Sequence, residues 1–419
     1  MSSAEPVSPS PAVWPGSEGR LAGAPAAPTT TRAARREALI ARVQTLLPEL
    51  RRRAGEVERL GAMPLDLMST LKEAGVFRIL EPACFGGAEL GFSELAEVAM
   101  SIGTACASSS WLTCVLNGWW MLGGFPEETQ REVARRTPGA LVGAVFAPTT
   151  DVTRVDGGFR LRGRWPFSSG IDHMDYVLLG GFVANDDGPL DVRLFLVPRG
   201  DFSALDDWDA LGLRATGSKT TVVKEAFVPE QRTLSLSLLR EGRAPGAALH
   251  DSRLYRVPFG AAFPIILAAP AVGIATGALE QWLGWAHGHV SRGTLRVAEY
   301  VPLQVRLGEA GAQIDCARLL LQQHLDAIEP AIAAGQAPSQ EARATCWRDG
   351  AYAAHLCRRA VQGLFEATGS SVLANGSAFQ RAWRDLQTMT AHISLRWDEA
   401  AERFGRSALG FGPPNAFFY

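Results

Sequence analysis

The sequence predicts a mostly helical α+β protein with an N-terminal helical domain, a central antiparallel β-domain and a C-terminal four-helix bundle. Two observations predict this order: the spacing of apolar residues falls from helical to strand period near residue 141, and it returns to helical near residue 258. The chain has 419 residues, 47% of them hydrophobic, which is enough to bury more than one core. The expected parts are a disordered tail at 1–31, the helical domain at 32–140, the β-domain at 141–235, a linker at 236–257 and the bundle at 258–419.

The N-terminal part combines a low-complexity tail with amphipathic helices. The tail is rich in Pro, Ala and Ser and lacks the charged start and apolar run of a signal peptide, so we expect it to be disordered. Pro64 begins a second helix, which stops at Gly75. The residues that recur at helical spacing in the first helix are Leu39, Ile40, Val43, Leu46, Leu47 and Leu50.

The β-domain is predicted from short segments of period two, VDGGFRLRG, DYVLLGGFVA, DVRLFLVP and TVVKEAFVP, which are separated by turn residues. Its stretch 159–183 is typical of two strands joined by a loop. In that loop Ser168, Ser169 and Gly170 offer hydroxyl and N–H groups, while Trp165 and Phe167 supply flat apolar surface. This combination suits a flat heterocycle that forms hydrogen bonds, although a plain hairpin with a serine-rich turn explains it equally well.

The C-terminal part contains four long helical segments, which begin AAFPIILAAP, VPLQVRLGEA, ATCWRDGAYA and AFQRAWRDLQ. Short connections between them predict a four-helix bundle. No apolar stretch is expected to reach membrane-spanning length, so we expect no membrane association.

Charge and cysteine content exclude several classes of function. The formal net charge is only −2, which argues against a nucleic-acid ligand. The six cysteines form no C-x-x-C pair and no zinc-like spacing, so we expect buried free thiols in a reducing cytoplasm. His287 and His289 would lie on different faces of a helix, and we therefore expect no metal site.

Four motifs make the resemblance to a family specific: APTTDVTRVDGGFRLRGRWPFSSG, GLRATGS, AFVPEQRT and RDLQTMTAHISLRWD. With the order of domains, they resemble the flavin-dependent monooxygenases of the acyl-CoA dehydrogenase fold, the oxygenase components of two-component aromatic hydroxylases such as p-hydroxyphenylacetate hydroxylase. The resemblance implies reduced FMN or FAD (FMNH2 or FADH2) and O2 as cofactors, a C4a-hydroperoxyflavin mechanism, and a homotetramer. It also implies a separate NAD(P)H-flavin reductase, and the chain itself has no Rossmann fingerprint or P-loop.

The resemblance assigns expected roles to individual residues. Ser169 would hydrogen-bond flavin N5, with Ser168 as the alternative one residue away, and Trp165 would back the isoalloxazine. His392 would stabilise the hydroperoxide by hydrogen bonding and help to carry protons; a packed or solvated histidine is the alternative. Further expected flavin contacts are Phe146, Thr149 and Thr216, the last of these in a turn near the site that runs to Ser218. The expected flavin-phosphate contacts are Arg292, Thr368, Ser370 and Ser371. A glycine helix cap explains the ATG sequence at Thr368 almost as well.

The expected substrate pocket departs from the phenol-hydroxylating members. These carry a histidine at the position that falls on Asn117 or Gly118 here, which puts ordinary phenol hydroxylation in doubt. Asn117 could bind a hydroxyl or carbonyl group. An aromatic pocket could be lined by Trp111, Trp119 and Trp120, with Phe263 from the apolar run FPIILAAPAVG. Core packing is the alternative for each tryptophan.

The predicted function is hydroxylation of a small organic molecule, probable substrates being aromatic, polyketide or other natural products. Three alternatives remain at this point: an amine N-oxygenase acting on an amino sugar, an acyl-CoA dehydrogenase-like desaturase, and a catalytically silent flavin-binding protein. The desaturase needs a glutamate base, but Ile393 and Ser394 stand near its expected position and 253–279 holds no acidic residue.

Overall fold

The computed structural model describes residues 30–148, 152–185, 188–291, 295–334, 336 and 338–412. It confirms the mostly helical α+β fold and the predicted order of its parts. Helices of the N-terminal part are α1 (Arg32–Leu60), α2 (Leu65–Glu73), α3 (Phe92–Gly103), α4 (Ala107–Val115), α5 (Trp119–Leu122) and α6 (Glu127–Arg136). The side chain of Thr31 caps α1 by accepting a hydrogen bond from the Ala34 N–H group, which fixes where the first helix begins.

Two four-stranded sheets form the β-domain. Its strands are β1 (Val142–Val145), β2 (Val152–Val155), β3 (Gly158–Ser168), β4 (Tyr176–Asn185), β5 (Gly188–Pro198), β6 (Ser203–Ala204), β7 (Lys219–Pro229) and β8 (Thr233–Ser235). One sheet has the order β1-β4-β5-β8 and the other β2-β3-β7-β6. The pairings in these two sheets are antiparallel, as predicted, except that of β1 with β4, which is parallel at the edge of its sheet.

The segment 236–257 is packed rather than an extended linker. It contains α7 (Leu236–Arg240) and two short 3₁₀ turns, and its Tyr255 is buried with its hydroxyl donating to the Leu80 carbonyl. The bundle follows as α8 (Phe259–Gly288), α9 (Val301–Ala333), α10 (Gln340–Thr368), α11 (Ala378–Thr390) and α12 (Trp397–Ala408), with the short strands β9 (Val290–Ser291) and β10 (Leu295–Arg296) after α8.

The last predicted bundle helix is two helices. Chain geometry breaks between α11 and α12, where the Leu395 N–H group donates to the His392 carbonyl in a turn. His392 therefore lies just beyond the end of α11 and not inside a helix, as the sequence pattern indicated.

Helix α8 crosses α3 at glycine positions. A Cβ atom on Gly273 would lie 2.2 Å from the Met100 carbonyl oxygen, and one on Gly277 would lie 2.4 Å from that of Thr104. A Cβ atom on Gly103 of α3 would likewise lie 3.0 Å from the Cα atom of Gly273. The two backbones meet this closely because no side chain stands between them.

Helix α8 is also long and apolar enough to cross a membrane, which the sequence analysis did not expect of any segment. Of its most apolar window, 83% is buried inside the protein, against α3, α9 and α10. This is the environment of a core helix.

Candidate active site

The loop after β3 passes from one sheet to the other. Because β3 pairs with β7 while β4 pairs with β5, the two strands do not form the hairpin considered above. Just before the loop, near the end of β3, Phe167 is a non-glycine residue at φ 63° whose side chain is 72% exposed. A left-handed conformation at a bulky residue is strained and is typical of functional sites.

A chain of hydrogen bonds holds Ser169 in this loop. The Trp111 Nε1–H group donates to Ser169 Oγ at 3.1 Å, and Ser169 Oγ lies 2.7 Å from Ser218 Oγ. Ser218 Oγ lies 2.7 Å from Thr216 Oγ1, which donates to the Leu213 carbonyl at 2.7 Å. The chain joins α4, the loop after β3 and the turn before β7.

The direction of each hydrogen bond follows from the two ends of this chain. The Thr216 proton goes to a carbonyl, so Thr216 accepts from Ser218, and Ser218 in turn accepts from Ser169. The Ser169 hydroxyl therefore donates its hydrogen bond to Ser218 and accepts one from Trp111. One lone pair of Ser169 Oγ remains, so this oxygen can accept a hydrogen bond from a ligand.

The structure excludes two of the expected flavin contacts beside Ser169. Trp165 is fully buried, and its Nε1–H group donates to the Gly180 carbonyl at 2.8 Å, so its ring cannot back a cofactor. Ser168 is also buried, since its hydroxyl donates to the Trp165 carbonyl and accepts from Thr221. The exposed aromatic of this strand is Phe167, two residues later than predicted, and Ser169 is the available hydroxyl.

His392 lies against the same site. Its ring centroid is 5.3 Å from that of Trp111, in an edge-to-face arrangement. Its Nδ1 atom accepts from the Ser394 N–H group at 3.2 Å, which leaves the proton of the neutral ring on Nε2. Burial lowers the pKa of His392 to about 4, so the imidazole is neutral at neutral pH.

We expect His392 to make stability depend on pH. Its folded-state pKa of about 4 lies below the unfolded value of 6.5, so the unfolded chain binds the proton first as pH falls from 6.5 towards 4. The free energy of unfolding should therefore fall as the pH is lowered from about 7 to 5. In His392→Asn this fall should be smaller by roughly 1–2 kcal/mol. Urea denaturation at both pH values measures this, and an unchanged loss would contradict the depressed pKa.

Helix α11 fixes the turn that carries Thr216 and Ser218. The Asp385 carboxylate accepts from the Leu213 N–H group at 2.6 Å, and Arg384 donates to the Leu211 carbonyl at 2.9 Å. Leu213 has φ 50°, so the bond holds a strained residue in place. Burial raises the pKa of Asp385 to about 6, and the Leu213 N–H group opposes that shift. Asp385 is thus engaged with the backbone and is not a free base.

An aromatic cluster adjoins the site on the side of α8. Phe259 stacks on Trp120, with centroids 5.8 Å apart, and lies 4.3 Å from Phe263 and 4.7 Å from Phe146. We call Trp120, Phe146, Phe259 and Phe263 the aromatic cluster. It brings together three residues that the sequence analysis assigned separately to cofactor and substrate. On α4, Cys114 lies one turn after Trp111 and donates to the Ile266 carbonyl of α8, which fixes the helix of Trp111 against the helix that carries Phe259 and Phe263.

Three predicted substrate contacts are structural instead. Asn117 accepts from the N–H groups of Ile79 and Leu80 and donates to two carbonyls, which fills all of its hydrogen-bonding capacity. A Cβ atom on Gly118 would lie 2.4 Å from the Val142 carbonyl oxygen. Trp119 is fully buried and donates to the Ala140 carbonyl. These residues attach α4 and α5 to β1 and do not face a ligand.

Asn117→Ala should therefore destabilise the protein without changing a ligand contact. The substitution leaves buried N–H and C=O groups of the backbone unpaired, at a cost of about 2 kcal/mol in the free energy of unfolding. Asn375→Ala, in an exposed turn, is the matched control and should change it by less than about 0.5 kcal/mol. Equal losses in both variants, measured by urea denaturation, would contradict the structural role.

The expected flavin-phosphate contacts lie at the far end of α10. The Thr368 hydroxyl donates to the Leu364 carbonyl and accepts from Trp282, so it is engaged within the bundle, contrary to expectation. Ser370 follows in an exposed 3₁₀ turn and stays a predicted contact. The side chain of Ser371 and all of Thr149 and Arg292 lie outside the described residues, so their predicted roles stay predictions.

Sequence reasoning missed Phe259 as part of the site, and it placed Trp111 and Ser218 near the site without their hydrogen bonds to Ser169. The motif GLRATGS contains Ser218, but only its hydrogen bond to Ser169 separates it from an ordinary turn serine. Trp111 lies on a helix whose other face is core, and Phe259 is one of many apolar residues in α8. Period two would place Phe167 on the same face as the buried Trp165. The register shift between Trp165 and Ser168 in the folded strand turns Phe167 outwards, and apolar spacing does not reveal it.

The residues present fit a flat heterocycle such as a reduced flavin. Phe167 offers an exposed ring, and Ser169 offers an acceptor atom beside it. Thr388, four residues before His392, has a buried hydroxyl with no hydrogen-bond partner among the described residues. The described residues contain no group of three His, Cys, Asp or Glu side chains that could hold a metal ion.

Two family models match the chain. The acyl-CoA dehydrogenase N-terminal domain matches residues 34–134, and the acyl-CoA dehydrogenase C-terminal domain matches residues 265–397. The first covers α1 to α6 almost completely, and the second runs from α8 to the start of α12.

Similar proteins cover nearly the whole chain. It is 34% identical over 379 residues to the flavin-dependent monooxygenase oxygenase subunit HsaA of Rhodococcus jostii (strain RHA1), with 88% of this chain and 97% of the relative covered. It is 33% identical over 391 residues to the oxygenase component of the FADH(2)-dependent resorcinol hydroxylase of Rhizobium sp. (strain MTP-10005), covering 90% and 96%. The structure of XiaF from Streptomyces sp. in complex with FADH2 and glycerol superposes with a TM-score of 0.85 at 28% identity, covering 92% of this chain and 98% of XiaF.

Proposed function

Because the chain belongs to the acyl-CoA dehydrogenase fold family and, within it, to the oxygenase components of flavin-dependent monooxygenases, we propose that it hydroxylates a small aromatic molecule. Its cofactors are reduced flavin and O2. When bound, reduced flavin would activate O2 as a C4a-hydroperoxide, and the chain would supply a dry site in which that species persists.

The observation that carries the proposal is the free acceptor on Ser169. Reduced flavin carries a hydrogen on N5, so a protein atom facing N5 has to accept a hydrogen bond. Ser169 Oγ can be this acceptor, because its own hydroxyl hydrogen is donated to Ser218. A hydroxyl that had to donate would suit oxidised flavin, whose N5 has no hydrogen.

His392 complements Ser169 as a neutral donor. Its free Nε2–H group can hydrogen-bond an oxygen atom near the site, and its low pKa keeps it from acting as a strong acid at neutral pH. A neutral donor stabilises an oxygen adduct without releasing it by full protonation.

The other functions considered have less support. Among the described residues near the site, the Asp385 carboxylate accepts from the Leu213 N–H group and the Asp172 carboxylate is paired with Lys219, so neither is a free dehydrogenase base. The aromatic cluster favours an arene over an amino sugar, since sugar hydroxyls need polar partners. Both alternatives lose support on these grounds.

Partners follow from the same proposal. A separate NAD(P)H-flavin reductase would deliver the reduced flavin, as expected of a relative of oxygenase components. We also propose a homotetramer in the cytoplasm, which six free cysteines suit. The exposed apolar side chains Val301, Val305 and Leu319 on α9, each more than 60% exposed, support burial against another copy.

The direct test is rapid mixing of the protein and anaerobically reduced FMN or FAD with oxygenated buffer. The proposal predicts a C4a-hydroperoxide absorbance band that outlasts the one formed by free flavin and substoichiometric release of H2O2. Direct conversion to oxidised flavin, at the rate of free flavin, would return the choice to a dehydrogenase or a silent flavin-binding protein.

A further inference from the structure

A cationic cavity lies beside the aromatic cluster. It has a volume of about 260 Å³ and is enclosed by α7, α10, α12 and the first turn of α8. Three guanidinium groups line it, from Arg240, Arg343 and Arg403. Among the lining residues that the structure describes, the one carboxylate is that of Glu241, which is paired with Arg243 at the surface.

Two of these guanidinium groups are held in place by packing. Arg403 is only 7% exposed, and its Cζ atom lies 4.1 Å from the centre of the Trp347 ring. Burial lowers the pKa of Arg240 to about 10, and the positive charge of Arg403 adds to this effect. Like charges gathered in one enclosed space repel, and an anion between them would offset that repulsion.

Arg343 points to the same conclusion independently. Its side chain is half-buried on α10, and its guanidinium group has no ion pair or hydrogen bond to any described residue. A guanidinium group presents paired N–H groups that match the two oxygens of a carboxylate.

This cavity is not at the expected flavin-phosphate position. Arg343 lies in the first turn of α10, whereas Thr368 is the last residue of that helix. At 1.5 Å per residue the two positions are roughly 37 Å apart along the helix axis. An anion in this cavity is therefore a different group from the flavin phosphate.

Phe259 connects the cavity to the aromatic cluster, because it lines the cavity and also contacts Trp120, Phe146 and Phe263. We propose that this cavity binds the carboxylate of the substrate, which is an aromatic acid whose ring lies along the aromatic cluster. This inference rests on the proposed function and narrows it to one substrate class.

The test compares acids with their uncharged analogues. Binding of 4-hydroxybenzoate and 3-(4-hydroxyphenyl)propanoate, and of the primary amide of each, is measured by calorimetry on the full chain, with and without anaerobically reduced FMN. We expect at least one acid to bind about 10-fold or more tightly than its amide. Arg343→Gln should reduce this preference to below about 3-fold while leaving amide binding unchanged. Arg359→Gln, an exposed arginine on the same helix, removes the same charge and should keep the preference.

Three outcomes would overturn the assignment: no acid in the panel is preferred, the preference survives in Arg343→Gln, or it falls equally in Arg359→Gln. Inorganic phosphate is the competing anion, and binding of phosphate that is tighter than that of the acids would also overturn it. Rapid mixing with oxygen in the absence of substrate tests the oxygenated flavin alone, so it separates the two proposals. A long-lived band without acid preference supports the monooxygenase and contradicts only the carboxylate site. Arg343-dependent acid binding without the band supports the carboxylate site and contradicts the monooxygenase.

Discussion

Replacement of Ser169 by alanine shortens the lifetime of the oxygenated flavin by about 10- to 100-fold, which corresponds to roughly 1.4–2.8 kcal/mol in the barrier to its decay. The variant loses the oxygen that accepts from N5–H, so the adduct can lose that hydrogen and eliminate H2O2. It also leaves the Trp111 indole N–H group without its partner. Rapid mixing with oxygen measures the lifetime, and an H2O2 assay measures the uncoupled fraction.

Ser168→Ala is the matched control for this prediction. It removes the neighbouring hydroxyl, which is buried and bonded to Trp165 and Thr221, so we expect some loss of stability and an unchanged lifetime. Ser218→Ala should give an intermediate lifetime, because Ser169 then keeps its oxygen but can turn its proton towards the flavin. Equal lifetimes in the Ser168 and Ser169 variants would show that neither oxygen acts on the flavin.

Gly273→Ala lowers the free energy of unfolding by about 3 kcal/mol, at the upper end of the range for overpacking. The added methyl group would lie 2.2 Å from the Met100 carbonyl oxygen and 2.9 Å from the Met100 Cα atom. Both are backbone atoms, so no side chain can rotate to make room, and α3 and α8 have to separate. Urea denaturation of the purified variant measures the change.

Gly284→Ala on the same helix is the control. A Cβ atom at Gly284 meets nothing within 4 Å, and the residue is in the helix interior. Alanine there should raise the free energy of unfolding by about 0.5–1 kcal/mol, because alanine has a lower conformational entropy than glycine in the unfolded chain. If both variants changed stability in the same direction, the close approach of the two helices would not be the cause.

Periodicity was sufficient to predict the fold, because each part buries one face of its helices or strands. The three-part order and the position of the Ser169 loop follow from apolar spacing and turn residues alone. The break after α11 did not follow, since 391–396 contains neither glycine nor proline. That break depends on hydrogen bonds at His392 that form only in the folded turn.

The individual site residues were harder to predict than the loop that carries them. Ser168 and Ser169 are chemically identical, and strand register alone decides which one is buried. Asn117 has the chemistry of a ligand contact, and only the four backbone groups around it show that it supports the fold. The carbonyl and amide groups that decide these cases come from residues distant in sequence, which a linear pattern does not reveal.

The length of α11 determines the spacing between two contacts of the candidate site. Asp385 on α11 holds the Leu213 turn, and His392, two residues beyond the end of α11, contacts Trp111. The two residues are seven positions apart, or about two helical turns. A substitution between them changes one side chain, but a single inserted or deleted residue turns everything beyond it by about 100° and shifts it by about 1.5 Å. Engineering of this segment should therefore tolerate many replacements and almost no change in length.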